Sequence, residues 1–383
     1  MKKICYITTV STTIKSFIID SAKYMHKKGK YDITFMCNPD DKFEVELPEY
    51  IHFIPVKMKR GIGFDGLNVI MQLYKIFKKE KFDLIQYSTP NASLYSSIAG
   101  KLAKIKVRLY CQWGIRYVGF TGVKREIFKI LEKITCKNST WIEPDSFGNL
   151  KFSYKEKLYT DKKSSVIWNG SAGGVNLEKF DITKKEIWRK EIKEKYKLGE
   201  SIVIGFIGRL EKDKGVNELF DAFKNLEEKY DLKLLMVGPV DKPDTIDKVL
   251  LEWSQECSNV IFTGSVSDTE KYYATMDIFV LPSYREGFGS VVVEAEAMGT
   301  PVIVTDIPGP TDAMINNETG VVVKKADVES LKDAIIKLYE DKELRNEMSK
   351  KAIDFANAKF ECFELYKCIL EDRNRLLKNE REQ

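Results

Sequence analysis

Short apolar runs alternate with amphipathic stretches from the first residues of this 383-residue chain, pause at NGSAGGVN (169–176), and then begin again. Before the pause, KICYITTV, YDITFMCN, FDLIQYST, VRLYCQWG, STWIEP and SSVIWNG read as strands. Residues 14–28, 67–79 and 123–136 read as helices between them. In 67–79 the apolar period places Leu67, Ile70, Met71, Tyr74 and Phe77 on one face. In 123–136 it turns Ile127, Ile130, Leu131 and Ile134 inward and Arg125, Lys129 and Lys133 outward. After the pause, 183–200 reads as an exposed helix. SIVIGFIGRL, LKLLMVGP, NVIFTG, DIFVLPS, PVIVTD and TGVVV follow as strands, with helical patterns at 215–229, 244–256, 268–275, 290–298 and 327–356. Two successive β/α alternations predict an α/β chain of two doubly wound parallel-sheet, Rossmann-like domains, 1–170 and 171–356. Residues 357–378 predict one long terminal helix, so that 357–383 forms a C-terminal element expected to pack back on the first domain. Such sheets bind ligands at the carboxyl ends of their strands.

Several function classes drop out on composition. No apolar run reaches 18 residues, so no membrane-spanning helix is expected, and the start of the chain reads as a strand rather than a signal peptide. Seven cysteines, none spaced C-x-x-C, argue against a disulfide framework or a zinc site and fit a reducing cytoplasm. With only His26 and His52, chemistry built on several histidines is nearly excluded. Residues 1–170 carry 30 Lys+Arg against 16 Asp+Glu, and the remainder carries 32 against 41. A basic first half suits an anionic partner such as a membrane surface, phosphorylated lipid or nucleic acid; equally it suits a lysine-rich solvated surface.

Two stretches of the second half concentrate polar chemistry at strand ends. In GFIGRLEKDKG (205–215) a strand ends, Gly208 permits a turn, and Arg209 and Lys214 precede a helix start. That grouping suits a diphosphate, or is simply a turn with two exposed cations. It is neither G-x-G-x-x-G nor a Walker loop. In EGFGSVVVEAEAMG (286–299) an apolar helix begins near Ser290 after Gly287 and Gly289. Glu294 lies one turn along from Ser290, inside the apolar run, and Glu286 stands at the entrance. A buried carboxylate needs a partner. The residues leave two for Glu294: a core Arg or Lys, or a ligand diol such as ribose. Glu296 points elsewhere and reads as structural.

The spacing E-x7-E from Glu286 to Glu294, with GRLEKDKG about 80 residues earlier, resembles the donor site of retaining GT-B glycosyltransferases of family four. VNLEKF, GTPVIVTDIPGPTDAM and NETGVVV resemble that family's interdomain stretch and continuation, most of all in transferases of capsule, O-antigen or exopolysaccharide repeat units. The resemblance covers the C-terminal half well and the N-terminal half loosely. It implies a donor-binding second domain and an acceptor-binding first domain. The donor is a nucleotide-diphospho-sugar, UDP-linked hexose or N-acetylhexosamine, and transfer is metal-independent and needs no other cofactor. Arg209 and Lys214 would hold the diphosphate, with Gly208 at the turn, and Glu294 would bind the ribose. Glu286 would contact the sugar hydroxyls, and the amides of Phe288, Gly289 and Ser290 would face sugar and phosphates. The base would lie near Gly238, Pro239 and Phe262.

Two departures from the family fall in the first half. Relatives often carry histidine where CQWGIR places Trp113, and a glycine-rich first loop where this chain has TTVSTTIKSF. Trp113 and Arg116, with Ser11, Thr12 and Thr13, are the candidate acceptor residues, although the hydroxyls of 11–13 suit a helix cap equally. The resemblance implies a polyprenyl-diphosphate-linked acceptor and no nucleic acid. It also implies a cytoplasmic protein docked peripherally on the inner membrane through VKMKRGIGF (56–64), helix 67–79 and the Arg125–Lys129–Lys133 row. Two other readings fit the same architecture: a nucleotide-sugar epimerase or hydrolase, and a non-catalytic lipid- or nucleic-acid-binding protein.

Overall fold

A computed structural model describes residues 1–59 and 65–378. Part of the predicted membrane segment 56–64 therefore lies outside the described residues. The chain divides into two compact units. One comprises Met1–Gly173 together with the segment from Phe363 onward; the other is Gly174–Cys362. The first division falls inside the glycine-rich pause.

The first unit holds six parallel strands: β1 Lys3–Ile7, β2 Asp32–Cys37, β3 Ile51–Pro55, β4 Leu84–Tyr87, β5 Val107–Gln112 and β6 Trp141–Pro144. Their order is β3-β2-β1-β4-β5-β6. The second holds β7 Ile202–Ile207, β8 Leu232–Val237, β9 Val260–Gly264, β10 Ile278–Leu281, β11 Val302–Thr305 and β12 Gly320–Val323, ordered β12-β11-β10-β7-β8-β9. Every registered pair is parallel. Central strands such as IVIGFI and IFVL are apolar on both faces because helices cover both sides of the sheet.

The structure corrects several sequence expectations. SSVIWNG is not a strand; Ser164 makes only an isolated bridge to Ile142. The terminal segment is two helices, Lys342–Phe360 and Cys362–Lys378, broken at Glu361. In the helix Gly66–Glu80 the core face is Val69, Leu73 and Phe77, whereas Leu67 and Met71 are exposed. In the helix Gly122–Asn138, Ile127, Ile130 and Ile134 are exposed rather than inward.

A buried ion cluster fixes the terminal helix to the first sheet. Arg373 is 1% exposed and donates from Nη1 and Nη2 to Glu143 at the end of β6, at 2.6 and 3.1 Å. It also donates to Gln86 on β4 and to its neighbour Asp372. Removing one member of such a pair strands the other in a dry interior. Arg373→Met is expected to cost about 3–5 kcal/mol. Arg373→Met/Glu143→Met should recover part of that loss, as chemical denaturation of the three proteins would show.

Candidate active site

Each sheet reverses its strand order once, and that switch point opens a crevice at the carboxyl ends of the two strands beside it. In the second sheet the two strands are β7 and β10. Both sequence stretches singled out for chemistry begin there: Gly208–Gly215 follows β7 and Pro282–Gly289 follows β10.

Glycines let the loops approach. Gly215 has φ +71°, and a Cβ on it would stand 2.0 Å from the Pro282 carbonyl oxygen. Gly238, at the end of β8, has φ +134°, and a Cβ there would lie 1.9 Å from the Gly208 oxygen. Neither position admits a side chain. Backbone bonds join the loops further: Tyr284 N donates to Asp213 O, and Leu210 N to Pro239 O, both at 2.9 Å.

The loops bring Lys214 and Glu286 together. Lys214 Nζ donates to Glu286 Oε1 at 2.6 Å, and Ser283 Oγ donates to the same oxygen at 2.8 Å. The side chains are 21% and 13% exposed, so the pair is poised at the protein surface with little solvent around it. Arg209 is half exposed and bridges two acids, Asp241 Oδ2 at 2.8 Å and Glu211 Oε1 at 2.9 Å. Lys242 reaches the other oxygen of Glu211. Arg285 pairs with Asp213 at 2.7 Å. Sequence reasoning selected Arg209, Lys214 and Glu286 but did not foresee Ser283, Asp241 or Glu211 as their partners.

The helix Ser290–Ala297 begins at Gly289, whose φ is +86°. A helix leaves its first amides without intrahelical acceptors, which favours an anion. The Phe288 ring is buried 5.2 Å from that of Phe360, so only its backbone is available to a ligand. Glu294 has an internal partner after all, and it is neither Arg nor Lys. Tyr273 Oη donates to Glu294 Oε2 at 2.9 Å. Tyr273 is fully buried between Phe180 and Phe279. Burial pushes the Glu294 carboxyl up to about 7 against the opposing pull of Tyr273 and Lys179. Such a group is ready to exchange a proton near neutrality when a ligand arrives. No spacing rule could have found Tyr273, which lies on another helix, Thr269–Thr275.

The remaining candidates fall in two places. Phe262 on β9 packs edge-on against Phe220, while Gly238 and exposed Pro239 close the end of β8. In the first unit Ser11, Thr12 and Thr13 open the helix Ser11–Phe17, but the cap position is Val10 and no side chain caps it. Ser11 Oγ instead donates to Asp40 at 2.5 Å. The Trp113 ring lies 5.8 Å from that of Phe17. Arg116 lies over the Phe120 and Phe128 rings.

Glu296 is fully buried, and neither carboxyl oxygen has a hydrogen-bond partner. Burial raises its pKa well above the ordinary carboxylate value, with Thr319 pulling the other way. An unsatisfied buried polar group costs about 1–3 kcal/mol. Glu296→Met, similar in volume, should therefore raise stability by about that amount and leave turnover unchanged, as thermal melts and initial rates would show.

The comparisons with known proteins agree on the class. The fold matches a glycosyltransferase from Rickettsia africae with TM-score 0.80 at 22% identity, over 99% of both chains. It matches Anabaena Alr3699/HepE in complex with UDP with TM-score 0.79 at 18% identity, over 98% of this chain and all of that one. Two doubly wound parallel sheets of this kind define the GT-B fold. Residues 188–355 match the family Glycosyl transferases group 1, and 3–146 match Glycosyl transferase 4-like. The chain is 32% identical to the capsular polysaccharide biosynthesis glycosyltransferase CapM of Staphylococcus aureus over 90% of its own length and 89% of CapM. It is 28% identical to the N,N'-diacetylbacillosaminyl-diphospho-undecaprenol alpha-1,3-N-acetylgalactosaminyltransferase of Campylobacter jejuni, over 85% and 86% of the two chains. The chain belongs to the glycosyl transferases group 1 family and is a glycosyltransferase.

Proposed function

We propose that this protein transfers a hexose or N-acetylhexosamine from a UDP-sugar to a polyprenyl-diphosphate-linked glycan during bacterial surface polysaccharide synthesis, with retention at the anomeric carbon. The observation that carries the reading is the contact of Lys214 and Ser283 with Glu286 at the switch point of the second sheet, with Arg209 on the loop after β7 and Glu294 on the helix after β10. Arg209 and Lys214 take the diphosphate's charge, Arg209 exchanging its Asp241 contact for phosphate. Gly208 gives the phosphates room at the turn. Glu286, held by Lys214 and Ser283, accepts from hydroxyls of the sugar. Glu294, oriented by Tyr273, accepts from the ribose diol. The amides of Phe288, Gly289 and Ser290 face the sugar and phosphates, and the base lies against Gly238, Pro239 and Phe262.

As the bond from the anomeric carbon to the diphosphate breaks, negative charge grows on the leaving oxygens. Fixed cations and amides stabilise that charge without reorganising. The acceptor oxygen bonds to the anomeric carbon on the same face, and its proton passes to the departing phosphate. No histidine or metal ion is required by this scheme, and chelation by EDTA should leave the rate unchanged. On the acceptor side Ser11, Thr12, Thr13, Trp113 and Arg116 remain the candidates, in a protein working at the cytoplasmic face of the membrane. CapM, named for capsular polysaccharide biosynthesis, supports the surface-polysaccharide setting by similarity, and the Campylobacter transferase, named for a diphospho-undecaprenol-linked substrate, supports the lipid-linked acceptor.

The test is a panel of nucleotide sugars offered with a lipid-linked acceptor, with product anomers assigned by proton NMR. A UDP-sugar giving the donor's own anomer is expected. Stoichiometric conversion of the donor without acceptor would instead identify an epimerase or hydrolase.

A further inference from the structure

The amino ends of the second sheet, at the opposite side from the crevice described above, carry a second polar site. A cavity of about 290 Å³ opens at the starts of β7, β10 and β11, where Ile202, Met276 and Pro301 line it. Two helices, Lys185–Tyr196 and Lys342–Phe360, supply the rest of its wall, and each begins with a lysine that lines the cavity. One turn further along, each adds an arginine, Arg189 on the first and Arg345 on the second. Four cations and a single acid, Asp277, therefore line one small cavity.

That acid is already engaged on both oxygens. Asp277 Oδ1 accepts from Arg189 Nη2 at 2.8 Å, and Oδ2 accepts from Val203 N at 2.9 Å. Among the described residues, Arg189 is the one cation of the four with an ion pair. Lys185 Nζ donates to the Gly299 carbonyl at 2.9 Å, and Arg345 Nη1 donates to the carbonyls of Leu338 and Tyr339. Asp341, beside Lys342, is taken up in capping its helix and accepts from Leu344 N at 2.8 Å. A cation drawn out of water without a counter-charge is costly, and a bound anion relieves that cost. Burial and the nearby Arg189 push the Lys185 amine down to about 8, against the pull of Asp277 and Glu186. Two helix N-termini add positive potential to the same place.

We propose that this cavity is a second ligand site, which takes a small phosphorylated anion by its phosphate between Lys185, Lys342 and Arg345. Arg189, fixed by Asp277, stands behind them as a further positive charge. The cavity is close to the lower end of small-molecule pockets, about 300 Å³, so it suits a compact metabolite rather than a polymer. Ile202, Met276 and Pro301 offer apolar surface to an organic part of the ligand. Ser349 Oγ donates to Gly299 O at 2.7 Å and keeps its own lone pairs for a ligand hydroxyl. The site stands on this cavity alone and does not depend on the donor reading.

The full chain is titrated calorimetrically with glucose 6-phosphate and, separately, with inorganic phosphate, each without UDP and at saturating UDP. Saturable binding that persists under UDP is expected. Tighter binding of the sugar phosphate would assign the site to a phosphate ester, and equal binding would assign it to free phosphate. Lys185→Met/Lys342→Gln should weaken binding at least about tenfold. The melting curve and UDP affinity should stay unchanged, because Ser349 still donates to Gly299 O in the variant. A second readout needs no variant. Trace acetylation of the wild type by acetic anhydride, read by mass spectrometry, should slow at Lys185 when the bound anion is present and stay constant at exposed Lys190. No saturable binding of either anion, equal binding by the double variant, or an unprotected Lys185 would overturn the proposal. So would displacement by UDP, which would place the anion in the crevice after β7 and β10. Anion binding by a protein that takes no UDP would leave this site standing and sink the functional reading instead.

Discussion

Lys214→Ala is expected to lower turnover by about 10²–10³-fold. Lys214 Nζ is placed 2.6 Å from Glu286 by the loop after β7, and the Gly215–Pro282 approach locks that loop against the one after β10. The substitution removes the cation proposed to face the leaving diphosphate and also frees Glu286, whose remaining side-chain donor among the described residues is Ser283. Because both side chains retain some solvent contact, the stability loss should be small beside the loss of rate. Initial rates and a melting curve measured on the same preparation separate the two. Turnover within about threefold of wild type would remove Lys214 from the machinery.

Glu294→Gln keeps the size of the side chain and its contact with Tyr273 but loses the charge. Hydrogen bonds to a charged group are worth about 1.5–3 kcal/mol each, so UDP affinity should fall by at least about tenfold well above pH 7. Wild-type affinity should itself decline as pH falls through about 7, where the carboxyl takes up its proton, and approach that of the variant. The stability effect runs the other way. The folded pKa lies above the unfolded one, so the unfolded chain ionises first and wild-type stability drops as pH rises between the two values. The glutamine variant lacks that drop and should be the more stable protein above pH 7. Isothermal titration with UDP and thermal melts across pH check both signs; a pH-independent wild-type affinity would detach Glu294 from the ligand.

The second unit was the more readable half. Its central strands are unbroken apolar runs bounded by glycine and proline, and the residues carrying its chemistry cluster at strand ends. The first unit concealed more. The helix Pro90–Leu102 is rich in Ser, Ala and Gly and buried on most sides, so it shows no apolar period to recognise. Strand β3 is a half-exposed edge strand that a weak alternation does not announce. The facing of the helix Gly122–Asn138 could not be read because isoleucine counts favour the wrong side. The deciding contact is Glu132 with Tyr110 and Gln112 on β5, about 20 residues away. The same blindness applied at the site: Glu294 was recognisable as an anomaly in an apolar helix, yet Tyr273 is tied to it only through the fold.

The central claim is that the switch point of the second sheet is a nucleotide-diphospho-sugar site gripped by Lys214 and Glu294. Titrating UDP into the wild-type protein and into Lys214→Ala and Glu294→Gln tests it most directly. Saturable one-to-one binding, weakened at least about tenfold in each folded variant, is the predicted result. UDP binding of equal strength in all three proteins, or none to the wild type, would contradict it.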